Sequence, residues 1–355
     1  MKKNILITGS AGMLGASFTK YFIDNYGDKY NVYGVDDFSG SYRENVDSRS
    51  IFTELDLRDK TAVDKFFHDN FKESGLDIVV HYAAAAQEIR SYFSPVYNAS
   101  INDDTAKNTI TNAIKYNVEL VVFSTSMSRY GDGVVKNGNG EVVIKQEVPF
   151  QESYIPCPQD PYAASKVYIE NFIKALQVVH DFNYLIICPH NIFGKLQYVE
   201  PYRNFIAIWM NLILQGKDCY IYGTGKQTRA ISWVDDYSPT ICKAIFNKSV
   251  YNQVFNIGGD EYKSLSSWYD LVREVTGYNK EAIFMQSRPG EVFNAYCNHD
   301  KAEKLLGFKN TVNIKDAIAE MWDYFKKKGP RPFKYMDSFE LDSSKIPITW
   351  KKKLF

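Results

Sequence analysis

The apolar run Asn4-Ile5-Leu6-Ile7-Thr8 leads straight into Gly9-Ser10-Ala11-Gly12-Met13-Leu14-Gly15, and the sequence then turns helix-like through Tyr26. A short strand, a glycine turn and a helix in that order leave few folds open. Gly9 permits the tight turn, Gly12 lets backbone approach a pyrophosphate, and Gly15 lets the new helix pack closely on the strand. The helix N-terminus offers free N–H groups and the positive end of its dipole to phosphates. An ordinary strand–turn–helix can carry similar letters, but a dinucleotide-binding turn demands this context.

A second strand is expected at 31–36. It ends in Asp36, about 20 residues beyond the glycines, where a carboxylate binds ribose hydroxyls. A carboxylate there repels the 2′-phosphate of NADP, which points to NAD. The competing role is a turn cap, which Asp37 can also serve.

Strand and helix signals then alternate. The apolar runs 77–81 and 120–124 suit central parallel strands buried on both faces, and 184–188 is a further strand. Helices are expected at 59–72, 95–116 and 162–179. This rhythm predicts an α/β fold, a Rossmann-type doubly wound parallel sheet with helices on both faces. After about residue 190 the rhythm breaks into loops and aromatic-rich segments, with a strand pair near 219–222 and 254–257, as a smaller C-terminal α/β lobe would show. The expected division is 1–190, 191–328 and a tail at 329–355, rich in proline, lysine and aromatics, that wraps the surface. Residues 134–146 read as a solvated hairpin around Asn137-Gly138-Asn139-Gly140.

Composition excludes several classes. Lys plus Arg total 42 and Asp plus Glu total 42, so no basic face for nucleic acid is available. No apolar run approaches the ~18 residues of a membrane helix, and the start lacks a signal-peptide profile. The cysteines at 157, 188, 219, 242 and 297 are scattered and form no Cys-x-x-Cys pair. They read as reduced thiols, and the scattered histidines make no ligand cluster, so no metal is expected. These features describe a soluble cytoplasmic enzyme.

Tyr162 and Lys166 stand four apart on a predicted helix, hence on one face. A tyrosine with a pKa near ~10 is a poor base at neutrality, and a neighbouring ammonium favours its phenolate. Lowering it by about three units takes roughly 4 kcal/mol, which lysine plus a nicotinamide cation can supply. Ser124-Thr125-Ser126-Met127-Ser128-Arg129-Tyr130-Gly131 follows the strand at 120–124. Ligands of open α/β sheets bind outside the carboxyl ends of strands, where these hydroxyls fall. Ser124 and Thr125 read as backbone caps.

Thr8-Gly9-x-x-Gly12-x-x-Gly15, the Ser126 strand end and Tyr162-x-x-x-Lys166 together resemble the extended short-chain dehydrogenase/reductase family, in particular its nucleotide-sugar epimerases and dehydratases. Further matches run to about residue 325. They include Asp36-Asp37-Phe38-Ser39-Gly40, Asp56-Leu57, His81-x-Ala83-Ala84, Pro189-His190-Asn191, Arg229 before Trp233-Val234-Asp235-Asp236, and Arg288-Pro289-Gly290-Glu291.

The resemblance implies NAD held by Gly9, Gly12, Met13, Leu14, Gly15, Asp36, Leu57 and Ala83, with Asp56 on adenine. It implies Tyr162 as base, Lys166 as its partner and ribose holder, and Ser126 as hydrogen-bond donor to the reacting oxygen. Glu88 and Asn191 would face the sugar of a nucleotide-diphosphate sugar. Arg229 and Arg288 would clamp its diphosphate, a task suited to planar bidentate donors, and Glu291 would accept from the nucleotide ribose. It further implies a homodimer formed through the helices near 95–116 and 161–180, and a place in polysaccharide biosynthesis. There Tyr168, Phe172, Ala175 and Val179 form a stripe that fits either a helix seam or a core face.

Departures narrow the reaction. The 4,6-dehydratases carry adjacent Asp and Glu where this chain has Met127 and Ser128, and a thioether cannot protonate a leaving hydroxyl. The reductive epimerases resembling GDP-fucose synthase carry a cysteine at the Ser128 position. Reversible oxidation at one carbon remains, which suits an epimerase acting at carbon 4 with NAD retained. A 4-dehydrogenase/reductase, a 4,6-dehydratase and a non-catalytic NAD-binding module stand as alternatives.

Overall fold

Ile5, Leu6, Ile7, Val79, Val80, Val121, Phe123, Leu185, Ile186 and Ile187 are all buried, so consecutive side chains of each strand are covered on opposite faces. Such strands sit in the middle of a layered sheet. In the computed structural model, which describes residues 2–355, they do. The sheet is built from Lys3–Thr8 (β1), Tyr30–Asp36 (β2), Ile51–Glu54 (β3), Ile78–His81 (β4), Leu120–Ser124 (β5), Asn183–Pro189 (β6) and Gln253–Ile257 (β7). Its seven strands run in the order β7-β6-β5-β4-β1-β2-β3, every neighbour parallel.

Helices Met13–Tyr26 and Val234–Ile245 cover one face, packing Phe18, Phe22, Tyr237 and Ile241 on it. Lys60–Phe71, Thr105–Lys115 and Pro161–Gln177 cover the other with Val63, Phe67, Ile110, Ile169 and Ile173. Strand order reverses between β1 and β4, and the crevice at such a switch point is where open α/β sheets take ligands.

Three expectations need correction. The helix expected at 95–116 is divided into Pro95–Ala99, a π-helical turn Ser100–Asp104 and Thr105–Lys115. The strand pair expected near 219–222 and 254–257 does not form. Tyr220–Tyr222 pairs instead with Ile283–Met285, and Gln253–Ile257 is the edge strand β7 of the large sheet. The chain thus returns to the large sheet beyond residue 190. The tail does more than wrap the surface, because Ile346, Trp350 and Phe355 are buried in one hydrophobic core with Trp209, Trp268, Ile318 and Met321. The Trp350 indole N–H donates to the Pro201 carbonyl at 2.8 Å.

The hairpin at 134–146 forms as expected, Val134–Lys136 against Val142–Lys145, with its turn exposed. Among the described residues no helix is long and apolar enough to cross a membrane.

Candidate active site

The glycine turn is the floor of a 420 Å³ cavity at the switch point. Gly9 has a φ of +65°, and a Cβ on it would stand 2.8 Å from the Ala83 nitrogen. A Cβ on Gly15 would stand 2.1 Å from the Gly9 carbonyl oxygen, so the helix can start this close to the strand only with glycine there. Asp36 closes the turn. Its carboxylate accepts from the Ala11 N–H at 3.0 Å, the Phe38 N–H at 2.8 Å and the Ser41 hydroxyl at 2.7 Å. Burial pushes its pKa up against those three bonds.

Gly9, Gly12, Met13, Leu14, Gly15, Asp36, Leu57 and Ala83 all line this cavity, together with Ser126, Tyr162 and Lys166. Asp56 does not. Arg58 folds back to grip its carboxylate, Nε at 2.9 Å and Nη2 at 2.7 Å, and the apolar Leu55 and Leu57 form the wall.

Pro161 at the first helical position and Asp160 as N-cap, accepting from the Ala163 N–H at 2.8 Å, start the helix that presents Tyr162 and Lys166. Both side chains are buried. The Lys166 ammonium donates to the Ser124 carbonyl at 3.0 Å and lies 5.9 Å from the Tyr162 ring centroid. The Ser126 hydroxyl accepts from the Ser128 N–H at 3.2 Å and the Ser128 hydroxyl at 2.9 Å.

The expected lowering of the tyrosine by Lys166 is not what the protein's own groups produce. Burial and the Glu88 charge raise Tyr162 above the ordinary phenol value, opposed by Ser126 and Arg203. Burial also pulls Lys166 down to about 7, with Asp103 and Glu170 acting against it. Desolvation dominates here because both side chains are buried, and burial disfavours the charged form of each.

A second cavity, of 200 Å³, adjoins the first. Glu88, Met127 and Asn191 line both, while Arg229, Arg288 and Glu291 line the second. Arg288 Nη2 lies 2.8 Å and Arg229 Nη2 3.3 Å from the same Glu291 oxygen. Burial raises the Glu291 carboxyl, and the two arginines overcome it and hold it below its usual range.

Sequence reasoning missed Arg90, Glu200 and Arg203, and the tail residues Lys334, Tyr335 and Met336 on the first cavity and Trp350 and Phe355 on the second. Glu88, expected to face the sugar, stands two residues before Arg90. Sequence reasoning also missed a ligand-like cluster, Asp260, His299 and Glu303, whose donor atoms lie within 4.8 Å of one another on neither cavity.

The fold and the first cavity define a dinucleotide-binding enzyme of the Rossmann type. The sequence profile of the NAD dependent epimerase/dehydratase family matches residues 5–258, and the chain belongs to that family. A protein of Methanocaldococcus jannaschii, named provisionally as a UDP-glucose 4-epimerase, is 29% identical over 322 residues, 91% of this chain and 98% of its own length. The crystal structure of the Thermotoga maritima UDP-glucose 4-epimerase with UDP-glucose superimposes with a TM-score of 0.81 at 27% identity, covering 92% of this chain and 99% of that one. The Thermus thermophilus UDP-glucose 4-epimerase in complex with NAD gives 0.79 at 24%, covering 91% and 99%. The cofactor of this enzyme is NAD. The residues present fit it, since the glycine cradle keeps open the space that any Cβ at Gly9 or Gly15 would fill.

Proposed function

We propose that the chain is a nucleotide-sugar epimerase acting at carbon 4 through a transient 4-keto sugar that stays bound. The shared border of the two cavities carries this reading. Ser126, Tyr162 and Lys166 face one cavity, Arg229 and Arg288 the other, and Glu88, Met127 and Asn191 both. A sugar anchored by its diphosphate on the arginines has its ring at that border, beside Tyr162.

Bound in the glycine cradle, NAD would supply the hydride acceptor and donor for the carbinol carbon. Tyr162 accepts the hydroxyl proton and returns it, Ser126 holds the reacting oxygen, and Lys166 holds the nicotinamide ribose. Gly9, Gly12, Met13, Leu14, Gly15, Leu57 and Ala83 shape the cofactor's bed, with Asp36 on its ribose. Asp56, whose half-exposed carboxylate Arg58 holds, would meet the adenine from outside this lining. Glu88 and Asn191 contact the sugar, and Glu291 orders the two arginines as well as meeting the nucleotide ribose. Met127 and Ser128 offer no proton to a leaving hydroxyl, which favours epimerisation over dehydration.

The enzyme is proposed to act in the cytoplasm as a homodimer. All five cysteines are buried and unpaired, as a reducing compartment allows. Tyr168 and Val179 are exposed on the helix Pro161–Gln177 and just beyond it, while Phe172 packs partly on the core; the exposed part of the stripe suits a helix seam.

The test is incubation with a panel of nucleotide sugars, followed by mass spectrometry and proton NMR. An epimer of unchanged mass is expected, and Tyr162→Phe should cut turnover by a thousandfold or so while NAD stays bound, in the range that loss of an acid–base group produces. A product lighter by one water means dehydration, and one lighter by two hydrogens means dehydrogenation.

A further inference from the structure

Arg90 lines the first cavity, and its guanidinium makes no ion pair there among the described residues. It is 4% exposed, and its Nε and Nη2 have no hydrogen-bond partner. The rings of Tyr97 and Tyr202 cover its guanidinium at 4.4 Å and 5.0 Å from their centroids. Cation–π contacts satisfy the faces of a guanidinium but leave its in-plane N–H groups free. The nearby Glu200 is already engaged, its carboxylate 2.6 Å from Arg203 Nε and hydrogen-bonded by the Gln87 amide. A buried guanidinium edge without an acceptor is costly unless a ligand completes it.

The segment that carries Arg90 is fastened to the reaction centre. The Ser91 hydroxyl accepts from the Tyr162 N–H at 3.1 Å and donates to the Glu88 carbonyl at 2.6 Å. The backbone that carries Arg90 is therefore fastened to the first turn of the helix that presents the proposed base. It lines the first cavity and not the second, where Arg229 and Arg288 lie. Lys334 of the tail lines the same cavity and adds a further positive charge to it.

We infer that Arg90 is a substrate-recognition residue that binds a carboxylate on the sugar ring, at the end remote from the diphosphate. The two free groups, Nε and Nη2, form the side-on fork that matches both oxygens of a carboxylate. This inference rests on the epimerase reading and deepens it to the class of nucleotide-activated uronic acids.

UDP-glucose and UDP-glucuronate differ only at carbon 6 and make the probe pair. The full-length enzyme should show kcat/KM higher for the acid by roughly 10- to 100-fold, the worth of a charge-assisted bidentate bond. Arg90→Met should collapse that ratio, chiefly through KM, with the NAD content of the purified protein retained. Arg90→Lys keeps the charge and the buried stem but loses the fork, and it too should lose most of the ratio, which guards against a variant that fails to fold. A wild-type enzyme that epimerises UDP-glucose with no preference for the acid overturns this inference alone. So does a ratio unchanged in both variants, or loss of NAD from either, which would place Arg90 on the cofactor. Failure to bind any nucleotide sugar overturns the epimerase reading with it.

Discussion

Arg129 Nη2 lies 3.0 Å from the Glu170 carboxylate, with the two side chains 4% and 1% exposed. Glu170 belongs to the helix that presents Tyr162 and Lys166, and Arg129 to the turn that begins at Ser126. The Thr125 hydroxyl donates to the same carboxylate at 2.6 Å. One buried carboxylate thereby sets the distance between the serine and the tyrosine, so the two halves of the candidate catalytic set are joined by charge as well as by packing.

Removing one partner leaves the other charged and buried. Glu170→Gln should destabilise the protein by about 3–5 kcal/mol in chemical denaturation, the usual cost of breaking a buried pair. The double variant Arg129→Met/Glu170→Met should recover part of that loss. Turnover should fall in both, because the Ser126 turn loses its anchor.

Asp36 should decide the cofactor. Wild-type enzyme should bind NAD far more tightly than NADP, and Asp36→Ala should narrow the gap in measured dissociation constants. The variant also strips the Ala11 and Phe38 N–H groups of their acceptor, so a stability loss of roughly 1–3 kcal/mol should accompany it. A wild-type preference for NADP would remove Asp36 from the ribose.

His81 and His190 are both buried, and burial lowers each to about 3. An unfolded histidine titrates near ~6.5, so between that pH and about 3 the unfolded chain binds protons that the folded chain refuses. Each histidine thus withdraws about 1.4 kcal/mol of stability per pH unit as pH falls through this window. Asp103, pushed up to about 6, and Asp160, pushed up to about 7, act with the opposite sign, because their folded forms take protons first. His190→Gln isolates one contribution. Between pH 6 and 4 the rise of its stability per pH unit should be smaller than that of the wild type by about 1.4 kcal/mol in urea titrations, the sign left by the two aspartates included.

Trp350 tests the tail. It is buried, meets the Tyr202 ring edge-to-face at 5.0 Å and lines the second cavity. Trp350→Ala should cost about 3–5 kcal/mol as a large-to-small core change and weaken nucleotide-sugar binding. A variant of wild-type stability would show that the tail is only draped on the lobe.

The glycine turn, the buried strands and the Tyr162–Lys166 pair were legible in the sequence because each is a local regularity. Glycine positions report backbone geometry within a few residues, continuous apolar runs report strands covered on both faces, and a spacing of four reports one helical face. Those signals carried the fold class and the cofactor. Tertiary structure alone settled where β7 inserts, that Arg58 captures Asp56, that the tail is buried among distant aromatic residues, and that Arg90 lies between Tyr97 and Tyr202 without a hydrogen-bond partner on Nε and Nη2. Each of these depends on which distant segments meet, and on whether burial or a neighbouring charge wins at the meeting point. A linear pattern of residues holds no record of either. Tyr162 shows the same limit: its spacing to Lys166 reads directly from the chain, while the direction of its pKa follows from the desolvation that the folded layers impose.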